Sequence, residues 1–440
     1  MAGHTDSMTH EVAPTLEGPT PKTLRAGDQG AFWVNLAVSL LGFTGASAVL
    51  MPAGSAPLSP IAALVATIVG TVLGSVMLGL SAVPGARTGA PSMVVLRGLF
   101  GARLSVLPTV LNILQMIGWG TFELLAIASG ARAVFGGGPQ LLYVLIAAAL
   151  TITMTIWPLG ALRVLRKYVT VAVGIALVYL FVQFAIRPMP ALTTGSWHGF
   201  WLGADAALAV AVSFIPMASD FSRHSRTVKG ALGAPVIGYS IAQIACYAVG
   251  LLALVQMGNS GGEYDPYVAI PLGAVFLGVI VLREVDQSFA NVYSTVMSVQ
   301  NLFPRADRRI LSIAIGLLCT VLAAVLDIGQ YTDFLSLIGS VFVPMFGVLA
   351  ADYFLRGWRS WNTSTDAPSR WGMLLAWLLG LATYQLINPG AVGWWSRFWT
   401  WFGHAIGFSP ASWMSASLFS FLIAGLAAFA FGRIRSPRHR

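Results

Sequence analysis

The chain has 440 residues, of which 56% are hydrophobic and only 9% are charged, and its formal net charge is +9. Soluble proteins carry about 25% charged residues, so one water-soluble core cannot hold so much apolar sequence. The mean hydropathy of +0.76 predicts an all-α protein that crosses a lipid bilayer many times. Nucleic-acid binding is disfavoured as an explanation of the positive charge, because no soluble basic domain is present to carry it.

Twelve apolar segments are each long enough to cross a bilayer, which takes roughly 20 residues. They run over residues 32–53, 58–83, 104–134, 139–158, 164–186, 203–221, 230–257, 268–300, 309–326, 331–355, 371–388 and 411–431. We expect residues 1–31 to form a polar tail, 32–355 a transporter core, 371–431 two peripheral helices and 432–440 a basic tail. No apolar segment with a cleavage site precedes the first span, so we expect no removable signal peptide.

The basic residues predict an orientation, because cytoplasmic loops are enriched in Lys and Arg. With a cytoplasmic N-terminus, only Arg132, Arg187 and Arg397 fall in outward-facing segments, and Arg283 lies inside the eighth span. The remaining Lys and Arg residues fall on the inner side, where they face anionic lipid. We therefore expect a multi-pass protein of the plasma membrane with both termini in the cytoplasm.

The first and sixth spans are interrupted by glycine and proline. The first reads LLGFTGASAVLMPAGSAP and includes Gly42 and Gly45, and the sixth reads VAVSFIPMASDFSRHSR, with Pro216 in the middle. Such residues weaken a helix, and in lipid the freed backbone groups need partners. Two broken helices at matching positions of two repeats indicate the binding site of a secondary transporter. The alternative is a pair of helices that are kinked only for packing.

Six motifs along the chain resemble the nucleobase–cation symporter family, which includes the cytosine, purine and allantoin permeases. They are LGFTGASA, GARTGAPSMVVLRGLFG, IGWGTFE, SFIPMASDFSRHSR, VDQSFANVYSTVMSVQN and VFVPMFGVLAADYFL, in the family's order. The resemblance implies a LeuT-like fold, with ten core helices in two inverted repeats and two peripheral helices. It also implies import of a planar heterocycle, such as cytosine, a purine, uracil, hydantoin, allantoin or hydroxymethylpyrimidine, driven by sodium or protons.

The third span carries the main candidates for substrate binding. Trp119 lies between Gly118 and Gly120, which leave room for a ring to stack on the indole, and the family places a substrate-stacking Trp in this motif. Glu123 follows one turn later on the same face, and a carboxyl within a membrane marks a functional site by default. Gln115 is a weaker candidate on that face. The alternatives are a packing role for the indole and an ion pair between Glu123 and Arg283 on another helix, without substrate contact.

Residues beside the break in the sixth span extend the predicted substrate site. Phe214 is expected to form the second aromatic wall, because the family commonly has an aromatic side chain here, and Ser213 offers a hydroxyl. In another register Ala211 takes the aromatic position and Ser213 the hydrogen-bonding one. Ser288, in the eighth span, is a further candidate for substrate contact. The alternative for Phe214 is core packing or lipid contact.

The eighth span places ionisable groups where sodium-coupled relatives bind their ion. In those relatives two hydroxyl residues of this span complete a sodium site with carbonyls of the broken first span, here near Gly42 and Gly45. The matching pair in this chain is Asp286 and Gln287, and Arg283 lies about one turn before Asp286.

Three hypotheses follow for this group of charges. In the first, Arg283 replaces sodium with Asp286 as its partner, Glu123 carries a proton, and uptake ignores sodium but rises as the external pH falls. In the second, Asp286 binds sodium and Arg283 pairs with Glu284 elsewhere. In the third, the charges only hold the helices together.

The sequence contains no motif for hydrolytic or metal-dependent catalysis. An HExxH motif is absent, and no two histidines lie at ligand spacing within a span. We therefore predict a permease without catalytic residues, cofactors or a disulfide, whose partners are a small heterocycle and the lipid bilayer. An intramembrane enzyme that uses Glu123, Asp286 and Arg283, and a passive channel, are the alternatives.

Overall fold

The computed structural model describes residues 22–52, 55–156, 162–258, 262–303, 305–390 and 392–434. The first α-helices in chain order are α1 Ala26–Ala37, α2 Leu40–Leu50, α3 Pro60–Thr88, α4 Ser92–Phe100, α5 Val106–Val134, α6 Gln140–Ile156, α7 Leu162–Ala185, α8 Phe200–Val212 and α9 Ala218–Ser222. They are followed by α10 Val228–Ala234, α11 Ser240–Met257, α12 Asp265–Val268, α13 Gly273–Leu302, α14 Arg308–Val325, α15 Tyr331–Leu349, α16 Trp371–Ile387, α17 Gly393–Ala405 and α18 Ala416–Ile434.

Each of the twelve predicted apolar segments holds at least one of these helices. Within the described residues, six helical stretches are long and apolar enough to cross a membrane, or seven if the bent pair α1–α2 counts as one span. Three of the described helices lie between the predicted segments: α4, α12 and α17. They were missed because α4 and α12 are short and α17 interrupts its aromatic residues with polar ones, so none of the three forms a long apolar run.

The first span is broken between α1 and α2, which meet at an angle of 64°. The break lies at Val38 and Ser39, so the expectation that it lies at Gly42 and Gly45 is corrected. Both glycines sit inside α2, where they allow it to pack closely on α11. A Cβ atom at position 42 would lie 2.9 Å from the Cβ of Cys246, and one at position 45 would overlap the hydroxyl of Tyr247.

The chain enters α1 earlier than predicted. Residues 26–31, which were expected to belong to the N-terminal tail, form the first turns of this helix. The backbone N–H of Arg25 donates to Asp28 at 2.9 Å, and the side chain of Gln29 donates to the carbonyl of Phe221 at 3.1 Å. The first bond caps the start of α1, and the second joins the start of the first span to the end of the sixth. The predicted tails at 1–21 and 435–440 lie outside the described residues.

The sixth span is interrupted as predicted. A short 3₁₀ turn over Ile215–Met217, which includes Pro216, separates α8 from α9. Helix α3 packs along α8, because small residues let the two backbones approach each other. A Cβ atom at Gly70 would overlap the carbonyl oxygen of Ala204, and one at Gly74 would lie 2.7 Å from the carbonyl oxygen of Leu208.

Candidate functional site

A narrow cavity lies at the break between α1 and α2, enclosed by α5, α8, α11, α13 and α15. Its polar and aromatic lining consists of Ser39, Trp119, Glu123, Phe214, Tyr239, Gln243, Tyr247, Gln287, Asn291 and Tyr331. The volume open to the centre of a water-sized sphere is about 20 Å³, which is enough for roughly one or two water molecules. A planar heterocycle can therefore enter only if the walls move apart.

Trp119, on α5, contributes an aromatic wall to this cavity. Its indole packs edge-to-face on Tyr331, with ring centroids 5.9 Å apart, and on Phe334, at 5.3 Å. Its Nε1–H group is buried and has no hydrogen-bond partner in the part of the chain that the structure describes. The indole therefore offers the cavity both a flat surface and a donor.

The two glycines beside Trp119 do not open space for a substrate, which corrects the sequence interpretation. A Cβ atom at Gly118 would overlap the ring of Phe334 on α15. One at Gly120 would lie 3.0 Å from the sulfur of Cys319 on α14. The glycines instead admit the neighbouring helices, so the room beside the indole comes from the break in the first span.

Glu123 lies one turn beyond Trp119 and is completely buried in the cavity wall. Neither of its carboxylate oxygens accepts a hydrogen bond from a described residue. Glu284 and Arg283 act on it electrostatically, and the Glu284 carboxyl shares a hydrogen bond with it once one of the two acids is protonated. The alternative role of Glu123, a salt bridge to Arg283, is not formed, and the guanidinium binds other groups.

Arg283, on α13, binds the end of α1 at the break. Its guanidinium donates to the carbonyl oxygen of Asn35 and, at 2.5 Å, to the side-chain oxygen of Gln287. The side-chain amide of Gln287 in turn donates to the carbonyl of Leu36 at 3.1 Å. The last carbonyls of a helix have no partner within it and form the negative end of its dipole. The side chains of α13 thus donate hydrogen bonds to carbonyl groups at the end of α1 that have no partner within the helix.

Glu284 binds the other side of the same break. One carboxylate oxygen accepts from the hydroxyl of Ser39, and the second accepts from the backbone N–H of Leu40 at 3.1 Å. Its carboxylate lies 3.7 Å from the guanidinium of Arg283. A negative charge is favourable at the N-terminus of a helix. The neighbouring residues Arg283 and Glu284 therefore complement the two facing helix ends. Glu284 is thus a carboxylate partner of Arg283, and the pairing of Arg283 with Asp286 stays a prediction.

Several predicted residues lie away from the cavity. Gln115 donates to the carbonyl of Ser213 at 2.8 Å, and the Ser213 hydroxyl donates to the carbonyl of Val210 at 2.7 Å. Ser288 pairs with the hydroxyl of Thr151 on α6 at 3.1 Å. None of Gln115, Ser213 and Ser288 is among the cavity-lining residues. The structure gives them contacts between helices, and their substrate contacts stay predictions.

Other predicted residues divide between the cavity and its surroundings. Phe214 lines the cavity and packs edge-to-face on Trp33, at 6.0 Å, and on Tyr239, at 5.6 Å. The register that places Phe214 at the site is therefore the one the structure adopts. Gly42 also lines the cavity, whereas Gly45 and the half-buried Asp286 do not.

The sequence analysis missed six polar residues of the cavity lining, and three of them carry polar atoms that are unpaired among the described residues: Gln243, Tyr247 and Tyr331. Gln243 donates to the carbonyl of Ala207 at 2.8 Å and to the hydroxyl of Thr71 at 2.9 Å, which fixes the orientation of its amide. Its Oε1 atom and the hydroxyls of Tyr247 and Tyr331 are buried without a hydrogen-bond partner within the described ranges. A glutamine in the middle of an apolar span is costly unless it has a role, and this signal could have identified Gln243.

A model of the family described as permeases for cytosine and purines, uracil, thiamine and allantoin matches residues 25–370. The chain belongs to this family. It is a multi-pass membrane permease of the nucleobase type and not an enzyme.

Curated relatives and solved structures agree with this assignment. The permease is 24% identical to the cytosine permease of Escherichia coli K12 over 407 residues, which cover 86% of this chain and 90% of that protein. It is 24% identical to the hydantoin permease of Microbacterium maritypicum over 61% of each chain. The structure of Mhp1, a nucleobase–cation symporter in a closed conformation with bromovinylhydantoin bound, superposes with a TM-score of 0.71 at 16% identity and covers 96% of each chain.

A sodium-coupled sialic acid symporter shares the fold more distantly. It superposes with a TM-score of 0.61 at 12% identity and covers 95% of this chain and 92% of that one. These likenesses show that the permease has a LeuT-type fold, as the sequence motifs implied. The pair of broken spans and the cavity between them thus lie in a fold that is built for transport.

Proposed function

We propose that the permease imports a nucleobase-like planar heterocycle, which binds in the cavity at the break between α1 and α2. One observation carries this proposal: aromatic rings and unpartnered polar atoms line a single cavity at a broken span. Trp119, Glu123, Gln243, Tyr247 and Tyr331 each bring at least one buried polar atom that lacks a partner among the described residues. Buried polar groups are normally paired, so this set is suited to hydrogen bonds with a ligand.

The geometry supports a specific binding mode. The ring stacks on the indole of Trp119, and Phe214 borders the same cavity. The fixed Oε1 of Gln243 accepts from an N–H group of the ring, while the hydroxyls of Tyr247 and Tyr331 donate to its carbonyl oxygens or ring nitrogens. Heterocycles that carry both N–H and C=O groups, as cytosine and hydantoin do, match this set of donors and acceptors.

We further propose that protons drive the uptake and that Glu123 carries the coupled proton. The support is its position, since this carboxyl lies in the cavity wall and accepts no hydrogen bond from the described part of the chain. Initial uptake into proteoliposomes should therefore rise when the external pH is lowered against a fixed internal pH. Glu123→Gln should remove that rise, and a wild-type protein with no response to a proton gradient would contradict this coupling.

The orientation is also a proposal. The distribution of Lys and Arg supports cytoplasmic N- and C-termini in a plasma membrane. Residues 32–355 would then form the transporting core, with 371–431 as two peripheral helices. Labelling of single cysteines introduced at exposed Arg103 and Arg397 in intact cells would test this, because only the second should react with an impermeant thiol reagent.

Counterflow in proteoliposomes tests the transport function directly. Vesicles loaded with an unlabelled base should accumulate the same radiolabelled base, and the panel should include cytosine, uracil, hydantoin, allantoin and a purine. Accumulation of at least one of these compounds, with competition by the others, is expected. Folded protein that exchanges none of the panel would contradict the proposed function.

A further inference from the structure

The two helix ends that face each other at the break are occupied by side chains of one helix, α13. Arg283 donates to the carbonyl oxygen of Asn35, and Gln287 donates to that of Leu36. Glu284 accepts from Ser39 and Leu40 on the far side. In transporters with broken helices, unwound carbonyls and helix C-termini of this kind coordinate the coupling cation. Here a protein side chain already binds them.

The residues present at the break do not fit a sodium ion. Arg283 is 3% exposed and Glu284 is fully buried, so water does not screen the guanidinium. Arginine stays charged at any relevant pH, and its guanidinium lies 3.7 Å from the Glu284 carboxylate. A sodium ion at the same place would have to compete with this fixed cation for that carboxylate and for the Asn35 carbonyl oxygen, which already accepts a hydrogen bond from it.

We propose that Arg283 is a built-in cation of the permease, which holds the end of α1 as a sodium ion would and makes substrate binding independent of sodium. Glu284 is its counterpart at the start of α2. A cation that is covalently attached cannot be released on the other side of the membrane. Arg283 therefore holds the α1–α2 break in place, but it cannot couple uptake to a sodium gradient.

Binding measurements with the purified, full-length protein test this inference. Affinity for radiolabelled cytosine or hydantoin is measured by scintillation proximity in sodium chloride and in choline chloride of equal ionic strength. We expect the same affinity in both salts. Coupling between two sites is commonly worth about fivefold or more in affinity, so an improvement of that size in sodium would overturn the proposal.

Two variants at position 283 separate the built-in charge from a general structural role. Arg283→Gln keeps a side-chain donor for the Asn35 carbonyl but removes the positive charge, so its weakened binding should improve when sodium replaces choline. Arg283→Lys keeps a charge and should bind the substrate equally in both salts. A sodium response of Arg283→Lys that equals that of Arg283→Gln would contradict the proposal, because the charge would then have no role.

The affinity measurements rest on the proposed function, because they need a heterocycle that binds. A measurement of thermal stability does not depend on it. The apparent melting temperature of the wild type is measured as sodium chloride replaces choline chloride, since a specific ligand of the folded state raises it. We expect no change. If no base binds in either salt, the proposed function fails while this measurement still decides the inference, and stabilisation by sodium would overturn it.

Discussion

Two buried glutamines with similar hydrogen bonds differ in whether they line the cavity. Gln115 and Gln243 are both buried glutamines whose amides donate to backbone carbonyls of the sixth span. Only Gln243 lines the cavity. The two residues therefore form a natural comparison between a glutamine that braces helices and one that also faces a ligand.

Gln243→Leu should weaken substrate binding more than Gln115→Leu does, although both variants lose bonds that brace the helices. The reason is that only Gln243 presents an acceptor to the cavity, and an unmet hydrogen bond in a buried site costs about 1–3 kcal/mol. Affinities for cytosine or hydantoin, measured beside apparent melting temperatures, separate binding from stability. Equal losses of affinity in the two variants would contradict a direct contact by Gln243.

Trp119→Ala should abolish saturable uptake, and Trp119→Phe should retain part of it. Stacking of a base on an aromatic side chain is worth about 1–3 kcal/mol, and phenylalanine keeps a smaller stacking surface. Concentration-dependent uptake in proteoliposomes measures the effect. Trp394→Ala is the matched control, because this side chain is 66% exposed on α17. Unchanged apparent affinity in Trp119→Ala would mean that the indole only fills space.

At the scale of elements, glycines decide how closely helices approach each other. Gly45 places α2 directly against Tyr247 of α11, and Gly70 places α3 against the backbone of α8. The break between α1 and α2 depends on such packing as well as on its capping groups. Close contact keeps α2 in the position where its first N–H groups reach Glu284.

Gly45→Ala should lower the apparent melting temperature, because the added methyl group would overlap the Tyr247 hydroxyl. Overpacking of this kind costs about 1–3 kcal/mol. Gly233→Ala is the control: it lies within α10 with no neighbouring atom within 4 Å of the added methyl group. Alanine favours a helix by about 1 kcal/mol over glycine, so the control should be neutral or stabilising. A Gly45→Ala protein as stable as the control would show that α2 and α11 can separate freely.

For the whole molecule, buried polar contacts tie distant parts of the chain together. Asp352 accepts from Arg356, Arg370 and the indole of Trp361, each at 2.7 Å. Arg370 also donates to the carbonyl of Gly98 in α4 at 2.6 Å. This network joins the segment that leads into α16 to the core, so the last helices are held by specific bonds as well as by apolar packing.

Glu263 joins the loop before α12 to other parts of the fold, and it predicts how overall stability depends on pH. Burial raises the pKa of its carboxyl to about 7, the Thr44 hydroxyl lowers it, and the nearby Asp327 carboxyl adds to the rise. The folded protein therefore binds more protons than the unfolded chain between pH 4.5, the ordinary pKa of a glutamate, and about pH 7. Stability should thus fall as the pH rises through this range.

The apparent melting temperature should accordingly be higher near about pH 5 than near about pH 8. Glu263→Gln should reduce this difference, since its amide does not titrate. Asp366→Asn, at an exposed position in the loop before α16, is the control and should leave the difference unchanged. If Glu263→Gln follows the wild-type profile, other groups govern the pH response.

Local sequence by itself determined the membrane class, the helical segments and the interruption of the first and sixth spans, because apolar run length and helix-breaking residues act over a few neighbouring positions. The motifs also identified the family, and they singled out Trp119, Glu123 and Phe214, which line the cavity. The position of the break at Val38 and Ser39 was not readable, because the glycines that suggested another place serve the packing of α2 on α11.

Only the tertiary structure decided which groups meet at the break. Ser39 and Glu284 are 245 positions apart in the chain, and Asn35 and Arg283 are 248 apart. The sequence placed Arg283, Glu284 and Asp286 on one helix but could not tell which of them would face the two open ends of α1 and α2. That choice depends on the rotation of α13 against the broken span, which is set by packing over its whole length.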